Sequence, residues 1–297
     1  MNHTCWAVAL LVACSGCSYT HVRATPEPGK TVLSKVSYDL WANTSVMIVS
    51  SKGTVALMDT FMTLPEIHPD LITVSHFHGD HFDPYLLGFV RCARATSKAE
   101  HFTYKDIQVD GLASTHGKDA IDYAWPTNVV YILSVDGIRI AHLGDFGQTV
   151  LTEEQRRQLV GIDVLIAPCT YLLVPEENAV DLIRQIRPRM ILPTHCTRKG
   201  LQLLKALADE VVVRDDRIAI GPGDLVAGKT RLLLLERGDM AFLLLRFLAI
   251  ELPAYPITRF AVAVALALVC LWWGVRRVRQ KARMATKLSD DLAELHH

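Results

Sequence analysis

The chain has 297 residues, 31 acidic and 31 basic side chains, and half of its residues are apolar. That is enough for one large core, or for one domain plus attachments. Zero formal charge argues against a nucleic-acid surface. Seven cysteines, odd in number and scattered, argue against a disulfide scaffold.

Residues 1–20 read as an export signal or lipoprotein leader. Trp6 to Ala13 is apolar but too short to span a bilayer. Leu11-Val12-Ala13-Cys14 has the form of a bacterial lipobox, in which Cys14 becomes the lipidated first residue. The leader has no Lys or Arg, so an ordinary signal peptide is the alternative. Cys14 and Cys17 have CxxC spacing, but the end of an apolar leader is a poor place for a metal or redox pair. Pro26, Pro28 and Gly29 mark 21–32 as a linker to a domain over 33–237. Three strand-like runs follow: Val32 to Tyr38, Ser45 to Ser50 and Thr54 to Met58, with a hairpin turn at Lys52-Gly53.

Asp70 to Ser75 reads as a short buried strand leading into His76-Phe77-His78-Gly79-Asp80-His81. Residues two apart on an extended chain point the same way, so His76 and His78 can share one metal ion. Gly79 allows a turn, after which Asp80 and His81 can face a second. Imidazoles with a carboxylate suit zinc, with manganese or iron as alternatives, rather than magnesium or calcium.

HxHxDH after a buried strand resembles the signature of the metallo-β-lactamase superfamily. The surrounding text is most similar to the branch of metal-dependent hydrolases related to ascorbate-6-phosphate lactonase. A phospholipase D that acts on N-acyl ethanolamine phospholipids is more distantly similar. The resemblance spans about residues 33–226. It implies an α/β fold, a four-layer αββα sandwich, and two divalent metal ions.

The remaining motifs are carried over residue by residue. Asp59 matches an acidic residue that hydrogen-bonds the histidine loop without binding metal. His116, in Ser114-Thr115-His116-Gly117, matches the third donor of the first ion. Val129 to Val135, Asp136-Gly137 and Ile138 to Leu143 form a hairpin. It runs into Gly144-Asp145, whose carboxylate the resemblance makes the bridge between the ions. His142 falls on the opposite face of a regular strand from Asp145, which suggests support of the ligands or packing rather than metal binding. Met190 to Thr194 reads as a strand ending in His195, the last donor of the second ion. Cys196 stands where the branch often has Tyr, and Cys169 falls near the mouth; both are read as inert small residues. Arg198 and Lys199 either face an anionic substrate group or form a solvated helix start.

Before that last strand, Thr152 to Val160 reads as a helix capped by Thr152. Asp163 to Pro168 reads as a buried strand, and Pro175 to Ile186 as a helix with apolar residues at helical spacing.

Residues 238–256 read as an interfacial segment. Residues 257–275 have the length of a transmembrane helix, with Trp272 and Trp273 near its end. The tail, 276–297, opens with Arg276, Arg277 and Arg279, which places it in the cytoplasm and the domain on the periplasmic side of a bacterial envelope.

The sequence thus predicts a membrane-anchored enzyme with His76, His78 and His116 on one ion and Asp80, His81 and His195 on the other. Asp145 bridges them, and a metal-bridging hydroxide attacks the substrate. Asp80 and Asp145 are the candidate catalytic residues. The β-lactamases proper of this fold carry Cys where this chain has Asp145, so the expected substrate is a phosphodiester or lactone, small or lipidic, and not a nucleic acid. The alternatives are a non-enzymatic metal-binding membrane module and a nuclease of the same superfamily.

Overall fold

The computed structural model describes residues 26–36, 44–60, 67–83, 87–88, 90–117, 120–169 and 174–235. Backbone contacts divide the chain into two units, Met1–Arg237 and Gly238–His297, and all described residues belong to the first. The stretches read from sequence as an export leader, an interfacial segment, a transmembrane helix and a basic tail lie outside the described residues. Among the described residues, no helix is long and apolar enough to cross a membrane.

Two sheets form the body. One has six strands in the order β13-β1-β2-β3-β4-β5. They are β1 (Thr31–Lys35), β2 (Val46–Val49), β3 (Val55–Met58), β4 (Leu71–Val74), β5 (Ala93–Thr96) and β13 (Arg217–Ile220). The other has eight in the order β12-β14-β11-β10-β9-β8-β7-β6. These are β6 (His101–Tyr104), β7 (Ile107–Ser114), β8 (Asn128–Val135), β9 (Ile138–His142), β10 (Val164–Pro168), β11 (Met190–Thr194), β12 (Glu210–Arg214) and β14 (Arg231–Leu235). Three α-helices are bounded among the described residues: α1 (Glu153–Leu159), α2 (Glu176–Ile186) and α3 (Arg198–Leu207).

Alternation along the strands explains the layering. Val129, Tyr131 and Leu133 of β8 join Leu33, Ile48 and Leu71 of the other sheet in one core. Val130 and Ile132, pointing the opposite way, pack with Leu159 of α1, Ile183 of α2 and Leu204 of α3. Strands β8, β10 and β11 are therefore covered on both faces, and their near-continuous apolar runs follow from that. This gives three of the four layers expected: sheet, sheet and helices.

Local chemistry sets the connections. Asp136 and Gly137 take φ of 49° and 78°, the pair of positive angles that a two-residue hairpin between twisted strands requires. The Asp136 carboxylate accepts from Thr31 Oγ1 at 2.8 Å and Ser51 N at 2.7 Å, tying this turn to the six-stranded sheet. Thr152 caps α1 as expected, in a reciprocal capping box with Gln155.

Parallel pairing brings the chemistry to one edge. β3 and β4 run parallel, so Asp59, after β3, lies beside Ser75, after β4. β9, β10 and β11 also run parallel, which puts Asp145, Cys169 and His195 at one end of the other sheet. β7 shares their direction because it is antiparallel to β8, as β8 is to β9, and it delivers His116 to the same end. Val129 N donates to Ser75 O at 2.9 Å, linking the sheets close to that edge.

Ile166 is fully buried between the sheets, whereas Val213 is 45% exposed. Ile166→Ala is expected to lower unfolding free energy by about 2–5 kcal/mol. Val213→Ala is expected to change it by no more than about 0.5 kcal/mol. Urea titration of the full-length chain checks both, and equal effects would place the core elsewhere.

Candidate metal centre

All seven side chains singled out in the sequence meet at this edge. His76, His78, His116 and Asp145 offer one group of donor atoms, and Asp80, His81, Asp145 and His195 another. Within each group the donor atoms lie within 4.8 Å of one another. Asp145 belongs to both.

The two oxygens of Asp145 divide between the groups. Oδ2 lies 3.7 Å from His76 Nε2 and 3.4 Å from His116 Nε2. Oδ1 lies 3.1 Å from His81 Nε2 and 3.4 Å from His195 Nε2. Asp80 sits at the rim, with Oδ1 3.7 Å from His78 Nδ1 and Oδ2 3.6 Å from His195 Nε2. Its side chain is 38% exposed, against 1% for Asp145.

Beneath them, Asp59 orients the loop. Its carboxylate accepts from Ser75 N at 2.8 Å, from Ser75 Oγ at 3.1 Å and from His81 Nδ1 at 2.6 Å. With the Nδ1 proton of His81 on Asp59, Nε2 faces Asp145. Ser75 Oγ also lies 3.0 Å from His76 Nδ1. If that nitrogen donates to Ser75 while Ser75 donates to Asp59, the lone pair of His76 Nε2 points into the centre as well. One buried carboxylate thus sets the tautomers of two histidines.

The electrostatics match this wiring. Burial, reinforced by His81, pushes His76 down to about 3, so its imidazole is neutral. Burial also opposes charge on His81, but Asp59 and Asp145 override it and lift its pKa to about 10. Burial opposes charge on Asp145 too, yet hydrogen bonds from His116 and His81 hold it far below the usual carboxylate range. Without metal, a proton on His81 therefore balances the buried carboxylates. A cation bound at Nε2 would replace that proton.

The residues fit a pair of cations. His76 Nε2 is buried without a hydrogen bond. Such a group costs about 1–3 kcal/mol, which coordination would remove. Five nitrogens and two carboxylates suit zinc, manganese or iron.

Several supporting residues carry no motif. Asn128 is buried; its amide donates to Ser114 Oγ at 2.7 Å and Leu143 O at 2.9 Å, and accepts from Asp145 N at 3.2 Å. It fixes the backbone of the shared carboxylate. Gly144 has φ +56°, and a Cβ there would stand 2.4 Å from Asn128 Oδ1. Ser75 was legible only as the end of a strand. His142 is buried with Nδ1 3.6 Å from Asp59 and lies outside both donor groups, as the strand period predicted.

The cysteine reading needs correction. Cys169 and Cys196 form a disulfide, with Cα atoms 5.0 Å apart. They are 27 positions apart, and only the parallel pairing of β10 with β11 brings them together. Lys199 lies 2.6 Å from Glu177 and 3.7 Å from Glu176, so its charge is engaged with α2 at this helix start.

The fold and the donor set define a two-sheet sandwich equipped for a pair of metal ions at one edge. The chain belongs to the family described as beta-lactamase superfamily domain, whose match covers residues 40–195. It is 28% identical over 157 residues to a metal-dependent hydrolase of Thermococcus kodakarensis, covering 44% of this chain and 68% of that one. Among solved structures it is similar to a Thermotoga maritima protein described as a zinc-dependent hydrolase of the metallo-β-lactamase superfamily. Identity there is 19%, coverage 70% of this chain and 100% of that one, and the TM-score 0.52. A metal-dependent hydrolase from Parabacteroides distasonis is also similar, at 17% identity over 70% of this chain and 94% of that one, with TM-score 0.49.

Asp59→Asn keeps the shape but removes the charge that holds Ser75 and His81. The expected result is about 10–100-fold weaker metal affinity with the fold retained. Metal titration with circular dichroism measures both, and unchanged affinity would show that Asp59 does not orient the donors.

Proposed function

We propose that this chain is a dinuclear metal-dependent hydrolase acting on a phosphodiester or lactone, in the branch related to ascorbate-6-phosphate lactonase. The observation that carries the reading is the shared Asp145, with one oxygen toward each donor group. His76, His78 and His116 would hold one ion, and Asp80, His81 and His195 the other. Two divalent cations there would supply Lewis acidity and an acidified water.

The protein's own groups do the rest. Asp59 and Ser75 hold His76 and His81 so that no rearrangement is needed when substrate arrives. Buried Asp145 stays ionised and carries no proton. Asp80, the more exposed carboxylate, is placed to accept a proton at the rim. Asp80 and Asp145 together offset only half the charge of two divalent cations, which favours an anionic substrate such as a phosphodiester.

Phe77, Tyr123 and Trp125 are 60%, 68% and 78% exposed on segments flanking His76 and His116, which supports a substrate with an apolar part. The Cys169–Cys196 disulfide supports a periplasmic domain, since such bonds persist in oxidising compartments. A C-terminal membrane anchor and a lipid or envelope substrate complete the reading.

The full-length chain loaded with zinc or manganese is expected to hydrolyse at least one member of a phosphodiester, lactone and phospholipid panel. Asp145→Asn is expected to lower that activity about a hundredfold or more. Turnover of β-lactams alone, or full activity in the variant, would overturn the proposal.

A further inference from the structure

The disulfide lies next to a donor residue. Cys169 follows the last residue of β10, and its N–H donates to Thr194 O at 3.1 Å, so its backbone is bound into the end of β11. Helix α3 closes over it: a Cβ on Gly200 would stand 2.5 Å from Cys169 O. Cys169 is thus buried and fixed, while Cys196 is exposed. Between β11 and Cys196 stands a single residue, His195.

His195 adopts φ +43°, in the left-handed region that non-glycine residues uncommonly take. In that conformation its Nε2 lies 3.0 Å from His81 Nε2 and 3.4 Å from Asp145 Oδ1. Such a conformation persists only where its surroundings impose it. Here β11 holds the residue before it and the disulfide holds the residue after it. His81, by contrast, is fixed by Asp59, and Thr44 Oγ1 donates to the backbone oxygen of Asp80 at 2.5 Å. The disulfide bears on the second donor group through His195 alone.

We propose that the Cys169–Cys196 disulfide is a positioning device for His195, so that its formation completes the second metal position and its reduction opens it. The inference rests on the two-ion reading above. In forming the bond, each thiol gives up a proton and an electron to an oxidant of the disulfide class, whose own S–S bond becomes two thiols. A chain still in a reducing compartment would hold only the first ion, and transfer to an oxidising one would complete the centre.

Manganese(II) titration of the full-length chain, followed by the electron paramagnetic resonance of the free ion, tests this. Manganese is chosen because it has little affinity for thiolates. One half of the sample is kept oxidised. The other is reduced with a water-soluble trialkylphosphine, which breaks the S–S bond, takes the oxygen of one water and leaves that water's hydrogens on the two sulfurs. The oxidised chain is expected to bind two ions. The reduced chain should keep the first affinity and lose about tenfold or more in the second. The double variant Cys169→Ser, Cys196→Ser should match the reduced chain. His195→Ala should lose the second ion in both redox states.

Circular dichroism of the oxidised and reduced forms of the same chain checks that folding is retained. Equal second-ion affinity in oxidised, reduced and serine forms would overturn the proposal, as would alkylation of both cysteines in the native chain without reductant. Fewer than two ions on the oxidised chain, or two at full affinity in His195→Ala, would instead break the two-ion reading and the proposal with it.

Discussion

A carboxylate that never faces the substrate sets the centre. Asp59 is 1% exposed and spends its oxygens on Ser75 and His81. Because one imidazole nitrogen of His81 is committed to Asp59, the other is committed to the centre. Ser75 passes the same constraint to His76. Burial makes the wiring strict, since a charge that far from water must keep its partners. The positive φ of Asp59, 53°, is the backbone cost of turning the carboxylate beneath the loop.

The sheets make that interaction available. A parallel pair ends with both carboxyl termini on one side, so the residues after β3 and β4 meet, as do those after β9, β10 and β11. Two such edges face each other across a common apolar core. The donors come from positions as far apart as His76 and His195, and four of them, His76, His116, Asp145 and His195, lie one to three residues past a strand end. Their geometry is therefore set by hydrogen-bonded sheets more than by the loops themselves. Asn128 and Gly144 refine it, one by holding the Asp145 backbone and the other by letting the chain pass close to Ser75.

Much of this was legible in the sequence, for identifiable reasons. The His76–His81 run, Gly144-Asp145 and His195 each follow an apolar stretch that could only be a strand, so motif and periodicity agreed. The hairpin at Asp136-Gly137 and the cap at Thr152 are local chemistry, written in a few adjacent residues. Ser75 and Asn128 were not legible as supports, because a buried serine or asparagine acquires its partners only when distant strands pair. The Cys169–Cys196 bond was hidden for the same cause: nothing in a 27-residue separation reveals that β10 and β11 are neighbours. The exported leader and the C-terminal span are hydropathy and charge readings on residues outside those described.

The central claim is that the Asp145 carboxylate stands between two metal ions. Anomalous diffraction from crystals of the full-length chain loaded with manganese addresses it most directly. The account predicts two peaks, one against His76, His78 and His116 and one against Asp80, His81 and His195, with the Asp145 carboxylate between them. A single peak at full occupancy with the other group empty, or peaks away from Asp145, would contradict it.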